Sequence, residues 1–326
     1  MKARIKPVYP IILLLLIVTS FHSSTAQTKI TDYKVSFGTA DYQGKNCLVL
    51  REFIKEGKKY YLTADPATLN TSILSSKELD KIVPYASYEQ LAIHTNGTAY
   101  MKALTEAKDQ SIPLQDAGIT HGFPKEKGIT LTIDLCPSHK GLDRNIFTSL
   151  TDAFRNIERP VPVALSLTGR FMLSHPDDIT WLKNLVSSGQ LNITWVNHTY
   201  NHHYDPSRPL SQNFLLERNT DLNFEVLALE TLMIENGLLP SVFFRFPGLI
   251  SDQQLVDRIT AYGLIPIGSD AWLAKGQQAQ PGSLVLIHGN GNEPVGVRDF
   301  INLLKSEDTA VHQKQWLLYD LRTAVP

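Results

Sequence analysis

The chain has 326 residues with a net charge of −1 and 43% hydrophobic residues, enough apolar material for a packed core of one large or two ordinary domains. Charges of both signs are scattered along it, so there is neither the basic footprint of a nucleic-acid binder nor a basic amphipathic helix for a membrane surface. A disordered chain is excluded on the same grounds, and the expected partner is a neutral or mixed-charge molecule.

The first 26 residues read as an export leader, cleaved after Ala26. Lys2, Arg4 and Lys6 precede the apolar run "IILLLLIV", and "STA" supplies the small residues of a cleavage site. The run is far shorter than the roughly 20 residues a membrane span needs. The expected location is therefore periplasmic or extracellular, with no stable membrane span after cleavage. Such a compartment would permit the two cysteines, Cys47 and Cys136, to pair, but the sequence does not establish that bond. Sequons at Asn70, Asn96, Asn192 and Asn197 matter only in a glycosylating pathway.

Between residues 27 and 127, "YKVSFG", "NCLVLREFI" and "KKYYLTA" read as short strands, and "SKELDKIV" and "YEQLAIHTNGTAYMKALTEAK" as helical or mixed segments. This predicts a small N-terminal α+β region. The texture changes near Lys125 to Lys127, and from Gly128 strands and helices alternate. Strand "GITLTIDLC" leads to a helix in which Ile146, Phe147, Leu150, Phe154 and Ile157 form one face, with Asp143 as its N-cap. Strand "VPVALSLTG", helix "PDDITWLKNLVSSG" closed by Gly189, strand "NITWVNHT" and a long helix within residues 210–237 follow. Strand "SVFFRF", helix "SDQQLVDRITAYG", strands "LIPIG" and "GSLVLIHG" and helix "VGVRDFINLLKS" complete the series. The alternation predicts parallel strands covered by helices, as a barrel or an open sheet over residues 128–326.

In a barrel, chemistry gathers at the carboxyl ends of the strands. Asp134 ends the first strand, His198 and His202 follow the third, Arg245 ends the fourth, Asp270 follows the fifth and His288 ends the last. Two imidazoles with a carboxylate are a common divalent-metal set. A carboxylate base and a histidine acid beside them suit hydrolysis of an amide or ester.

Five stretches in this order resemble the polysaccharide deacetylase family, also known as carbohydrate esterase family 4 or NodB-like domains. "LTIDLCPS" resembles the Thr-Phe-Asp-Asp-Gly-Pro motif, "NHTYNH" the His-Ser/Thr-x-x-His motif, "FRFPG" the Arg-x-Pro motif, "GSDAW" the Asp-x-Trp region and "GSLVLIH" the closing Leu-x-x-His. The resemblance implies a distorted (β/α) barrel that removes N- or O-acetyl groups from a carbohydrate with the help of a divalent metal, zinc being the expected one. It implies Asp134 as base, His198 and His202 as metal ligands, Arg245 as orienter of the base and His288 as general acid tuned by Asp270. Leu286 would line the acetyl-methyl pocket, Trp272 the substrate cleft, and Gly248 would offer a backbone N–H to the oxyanion.

The first motif departs from the family at the third metal ligand, an aspartate there and Leu135 here. Three readings follow. Asp134 itself joins the two histidines; or Cys136 supplies a thiolate, since alternate strand residues share a side; or no metal binds tightly. The last would make the chain a metal-independent amide hydrolase or a non-catalytic carbohydrate binder. His139 is a reserve ligand by position, while His139, Asp143 and His175 read most simply as loop and cap residues.

Overall fold

The computed structural model describes residues 29–109, 114–122 and 127–326. The expected leader, residues 1–26, lies outside these residues, as does most of the texture change at Lys125 to Lys127. Among the described residues no helix is long and apolar enough to cross a membrane.

The N-terminal region is a five-stranded antiparallel sheet of β1 (Ile30–Tyr42), β2 (Lys45–Lys55), β3 (Lys58–Ala64), β4 (Thr71–Ser75) and β5 (Asp80–Tyr85), in the order β4-β3-β2-β1-β5. "KELDKIV" thus includes a strand that pairs with β1, where a helical or mixed segment was expected. Helices α1 (Tyr88–His94) and α2 (Ala99–Asp109) follow.

From Gly128 the expected alternation is realised. Strands β6 (Gly128–Leu135), β7 (Val161–Leu167), β8 (Leu191–Asn197), β9 (Pro240–Phe244) and β10 (Ile265–Pro266) run parallel with β11 (Ala271–Trp272) and β12 (Leu284–His288). Between them lie helices α3 (Arg144–Ala153), α4 (Gly169–Ser174), α5 (Pro176–Ser187), α6 (Leu229–Glu235) and α7 (Gln253–Thr260). The chain closes with α8 (Pro294–Ser306), α9 (Asp308–His312), β13 (Leu317–Leu318), which pairs with β6, and α10 (Leu321–Ala324). Asp143 caps α3 as expected, accepting from the Asn145 N–H, and Gly189 (φ 67°) ends the α5 segment in the left-handed region.

The strand order β10-β9-β8-β7-β6-β12-β11 forces the sheet to curl. Seven strands laid flat would put the two edges roughly 29 Å apart at about 4.8 Å per strand. The edges β10 and β11 are joined by only residues 267–270, which reach roughly 17 Å fully extended. The gap in this barrel-like ring is crossed by the N-terminal region. Ile119 N–H donates to the Pro266 carbonyl at 3.1 Å, Gly268 N–H to the Ile119 carbonyl at 2.9 Å, and Gly122 N–H to the Gly282 carbonyl at 2.7 Å. Gly118 (φ 98°) makes the approach possible, because a Cβ there would sit 2.4 Å from the Pro266 carbonyl oxygen.

Strand alternation divides the core in two. Outward residues Ile129, Leu131, Ile133 and Leu135 of β6, Val161, Val163, Leu165 and Leu167 of β7, and Val285 and Ile287 of β12 pack with the α3 residues Ile146, Phe147 and Leu150. Inward residues Ala164, Val196 and Leu284 share a second cluster with Leu48, Leu50, Tyr100, Ala103 and Leu104 of the N-terminal region. The two parts are also locked by a buried ion pair. Arg51 Nε donates to Glu230 Oε2 at 2.8 Å and Arg51 Nη2 to Oε1 at 3.1 Å, while Arg51 Nη1 donates to the Leu50 and Tyr262 carbonyls.

The expected long helix within residues 210–237 is shorter. It begins with a π-turn at Phe224–Ala228 and continues as α6, preceded by two single 3-10 turns. Asn213 explains the break: its amide accepts from Asp205 and Phe214 N–H and donates to the Asp205 carbonyl. Phe214 and Asn219 then adopt positive φ, which no helix accommodates.

Candidate active site

Adjacent parallel strands in register place Asp134 opposite His288, and Asp134 opposite Ser166 on its other side. Inward alternation on β8 continues through Thr194 and Val196 to His198. The carboxyl ends of the strands therefore carry Asp134, His198 and His288 to one end of the barrel, where a cleft of about 890 Å³ is lined by Cys136, His202, Phe214, Gly248, Trp272, His288 and Glu293.

Asp134 is buried between the Arg245 guanidinium and the His198 ring. Its Oδ1 lies 3.6 Å from Arg245 Nη1 and its Oδ2 lies 3.7 Å from His198 Nε2. Arg245 is fully buried, anchored by Nη2 donating to the Gly268 carbonyl at 2.9 Å, and burial lowers its pKa. The loop after β8 is strained: Thr199 (φ 70°) and His202 (φ 49°) both occupy the left-handed region. Such conformations cost about 1–3 kcal/mol each and persist where surroundings enforce them. Here they fold the loop so that the His202 ring lies 4.8 Å from that of His198.

The Cys136, His198 and His202 donor atoms all lie within 4.8 Å of one another. Cys136 Sγ is 3.6 Å from His198 Nε2. His198 Nδ1 contacts the Arg245 carbonyl at 2.9 Å, so it carries the proton and leaves the Nε2 lone pair facing the cluster. His202 Nε2 is buried with no hydrogen-bond partner. Tetrahedral zinc with sulfur and nitrogen ligands holds its donors roughly 3.5 Å apart, so the cluster fits such a cation after a contraction of about an ångström. Burial alone would push the Cys136 thiol up, but the neighbouring imidazoles, His202 and His288 foremost, hold it well below its ordinary value. Burial likewise works against a charged His198, and Asp134 and Cys136 outweigh it and raise its pKa.

Leu135 has no part in this cluster. It is 0% exposed among the outward residues under α3, and a Cβ built on Gly289 would lie 2.9 Å from its Cδ2. Cys136 and Cys47 are both free thiols, so the permitted disulfide does not form.

Across the cleft the structure departs from expectation at His288. Asp270 does not accompany it; Asp270 Oδ2 contacts His121 Nδ1 at 2.7 Å. The carboxylate beside His288 is Glu293, whose Oε2 lies 2.8 Å from His288 Nδ1 and accepts from Trp272 Nε1 at 2.8 Å. Burial opposes a charged imidazole at His288, but Cys136 and Glu293 more than reverse it and raise His288 well above its ordinary value. Burial also pushes Glu293 up, and His288 outweighs it, holding the carboxyl low. Nothing in the sequence marks Glu293, since an acid before Pro294 reads as a helix start.

Leu286 packs with Leu249 and Trp272 in a small apolar cluster beside His288. Gly248 (φ 60°) lines the cleft, and a Cβ there would meet the Phe214 ring at 2.8 Å. His139 is exposed on the cleft rim, outside the metal-fitting group. His175 sits between α4 and α5 with Nε2 against the Ser138 carbonyl at 2.9 Å, a structural position.

A sequence-family profile, the RP012 protein N-terminal domain, matches residues 31–101. Solved structures similar to the chain include a family 4 carbohydrate esterase from Bacillus anthracis, 16% identical over 69% of this chain and 90% of that one, TM-score 0.45. A chitin deacetylase from Colletotrichum lindemuthianum is 16% identical over 64% and 91%, TM-score 0.42. A family 4 pseudoenzyme from Bacillus anthracis is 15% identical over 65% and 70%, TM-score 0.42.

Proposed function

We propose that the protein is an exported hydrolase that removes N- or O-acetyl groups from a carbohydrate, with a divalent cation held by His198 and His202. The observation that carries this reading is the pairing of a carboxylate beside a buried arginine with a histidine beside a carboxylate. They stand opposite each other on neighbouring strands, beside a cluster of metal-type donors.

The roles follow from the contacts. Asp134, with Oδ1 turned toward Arg245, takes the proton of an attacking water. Protonated His288, steadied by Glu293, gives a proton to the departing amine or alcohol. The Leu286, Leu249 and Trp272 cluster offers an apolar seat for the acetyl methyl. Gly248 brings backbone N–H close to the cleft, where a developing oxyanion would be stabilised. A divalent cation at the histidines would supply Lewis acidity toward the carbonyl and lower the pKa of water.

The test is acetate release from acetylated chito-oligosaccharides, peptidoglycan fragments and acetylated xylan by zinc- or cobalt-loaded protein. Release by the wild type, lost in Asp134→Asn with metal content unchanged, supports the reading. Binding of a glycan with no acetate released from any of them replaces it with a non-catalytic carbohydrate binder. Activity surviving complete chelation replaces it with a metal-independent hydrolase.

A further inference from the structure

We infer that Cys136 is the third protein ligand of the cation held by His198 and His202, which makes the centre a thiolate–bis-imidazole site built for zinc. This rests on the metal-assisted reading above and adds the identity of the ligand set.

The β6 pleat carries the argument. Residues 129, 131, 133 and 135 point to the helices, and 130, 132, 134 and 136 point inward, so the only side chain of the first motif besides Asp134 that reaches the histidines is Cys136. Its backbone is pinned on both sides. Thr168 Oγ1 donates to the Leu135 carbonyl at 2.9 Å, and Asn290 Nδ2 to the Cys136 carbonyl at 2.5 Å. Asp134 remains turned toward Arg245, which leaves the carboxylate available as a base. His198 Nε2 and the unpartnered His202 Nε2 supply the other two lone pairs.

A thiolate carries the same charge as a carboxylate, so the net charge of a Cys-His-His site matches that of an Asp-His-His site. What changes is softness. Thiolate favours zinc over harder ions such as manganese and magnesium, which prefer oxygen donors. Coordination of sulfur also has a direct signature: bound cobalt(II) shows a thiolate-to-cobalt charge-transfer absorption in the near ultraviolet that imidazole and carboxylate ligands do not produce.

The experiment is cobalt(II) reconstitution of the chelated full-length mature protein, followed by absorption spectra and metal analysis for wild type, Cys47→Ser, Cys136→Ser and Cys136→Asp. Expected are stoichiometric cobalt and the near-ultraviolet band in wild type and Cys47→Ser. The band should be lost in both Cys136 variants, with Cys136→Asp keeping cobalt and its visible bands. Zinc, and not manganese, should displace cobalt from the wild type. Cobalt bound to wild type with no charge-transfer band overturns the inference while leaving metal assistance standing. No cobalt bound by folded wild type overturns both.

Discussion

Leu135→Asp, which writes into the first motif the carboxylate of the motif it resembles, should damage the protein. Leu135 is 0% exposed and packs with Ile133 and Ile146 beneath α3, so the new side chain would enter an apolar layer, not the cleft. Losing the leucine contacts costs about 2–5 kcal/mol, as for other large-to-small core changes. A carboxyl buried there has its pKa raised by about 3–5 units, to about neutrality or above, so at pH 7 the cost is set by the roughly 3 units separating that pH from the unfolded pKa and adds about 4 kcal/mol at 1.36 kcal/mol per unit. The combined loss is comparable to the whole stability of about 5–15 kcal/mol expected of a domain. The sign with pH is fixed: the unfolded carboxyl ionises above about 3.9 while the folded one stays protonated, so the defect grows as pH rises from 4 to 7. Urea unfolding at both pH values, with zinc content measured alongside, is the assay. A variant as stable as wild type at pH 7 that binds zinc more tightly would refute the assignment of Leu135 to the helix-facing layer.

Replacing Glu293 with Gln removes the carboxylate that helps hold His288 protonated; with the His288 pKa lowered, the loss of activity at rising pH should begin at lower pH, reaching up to the roughly 10²–10⁴-fold share of a general acid. A pH–kcat profile whose alkaline limb does not move would dismiss the pairing. Arg51→Met strands a buried Glu230 and should cost about 3–5 kcal/mol in denaturant unfolding, whereas Arg51→Met with Glu230→Leu should recover much of it; equal losses would contradict the coupling. Gly248→Ala must place a Cβ in the left-handed region, at about 1–2 kcal/mol, and push against Phe214. Acetate release should fall in this variant and partly return when Phe214→Ala is added, which a purely backbone effect would not allow.

Strands β6 to β9 and β12 were legible because each is a short apolar run followed by helical periodicity, while the two-residue β11 and β13 are too short to carry a pattern; the alternation within β6 already set Asp134 and Cys136 on one side. The sequence could not choose between Asp134, Cys136 and no third donor beside the histidines, because a motif aligns residues without giving the distances between their side chains. Asp270 and Glu293 show a second limit. Which carboxylate meets His288 depends on the course of two loops, and neither loop has a period to read. The overlong helix of residues 210–237 had suitable apolar spacing, yet Phe214 and Leu215 use that hydrophobicity to pack a loop, held by Asn213. The curl of the sheet was beyond local reasoning as well, since it follows from a strand order that brings residues 266 and 271 to opposite edges.

The backbone crossing at Ile119 to Gly122 bears on how the protein can be cut. A boundary at Gly128, where the composition changes, looks like a natural place to begin a shortened fragment that carries the candidate site. Such a fragment would lack the hydrogen bonds that reach Pro266, Gly268 and Gly282, and would expose the inward faces of Ala164, Val196 and Leu284 to water. Sequence modularity and folding autonomy therefore part company in this chain: the smallest piece expected to fold unaided begins with the first strand of the N-terminal sheet.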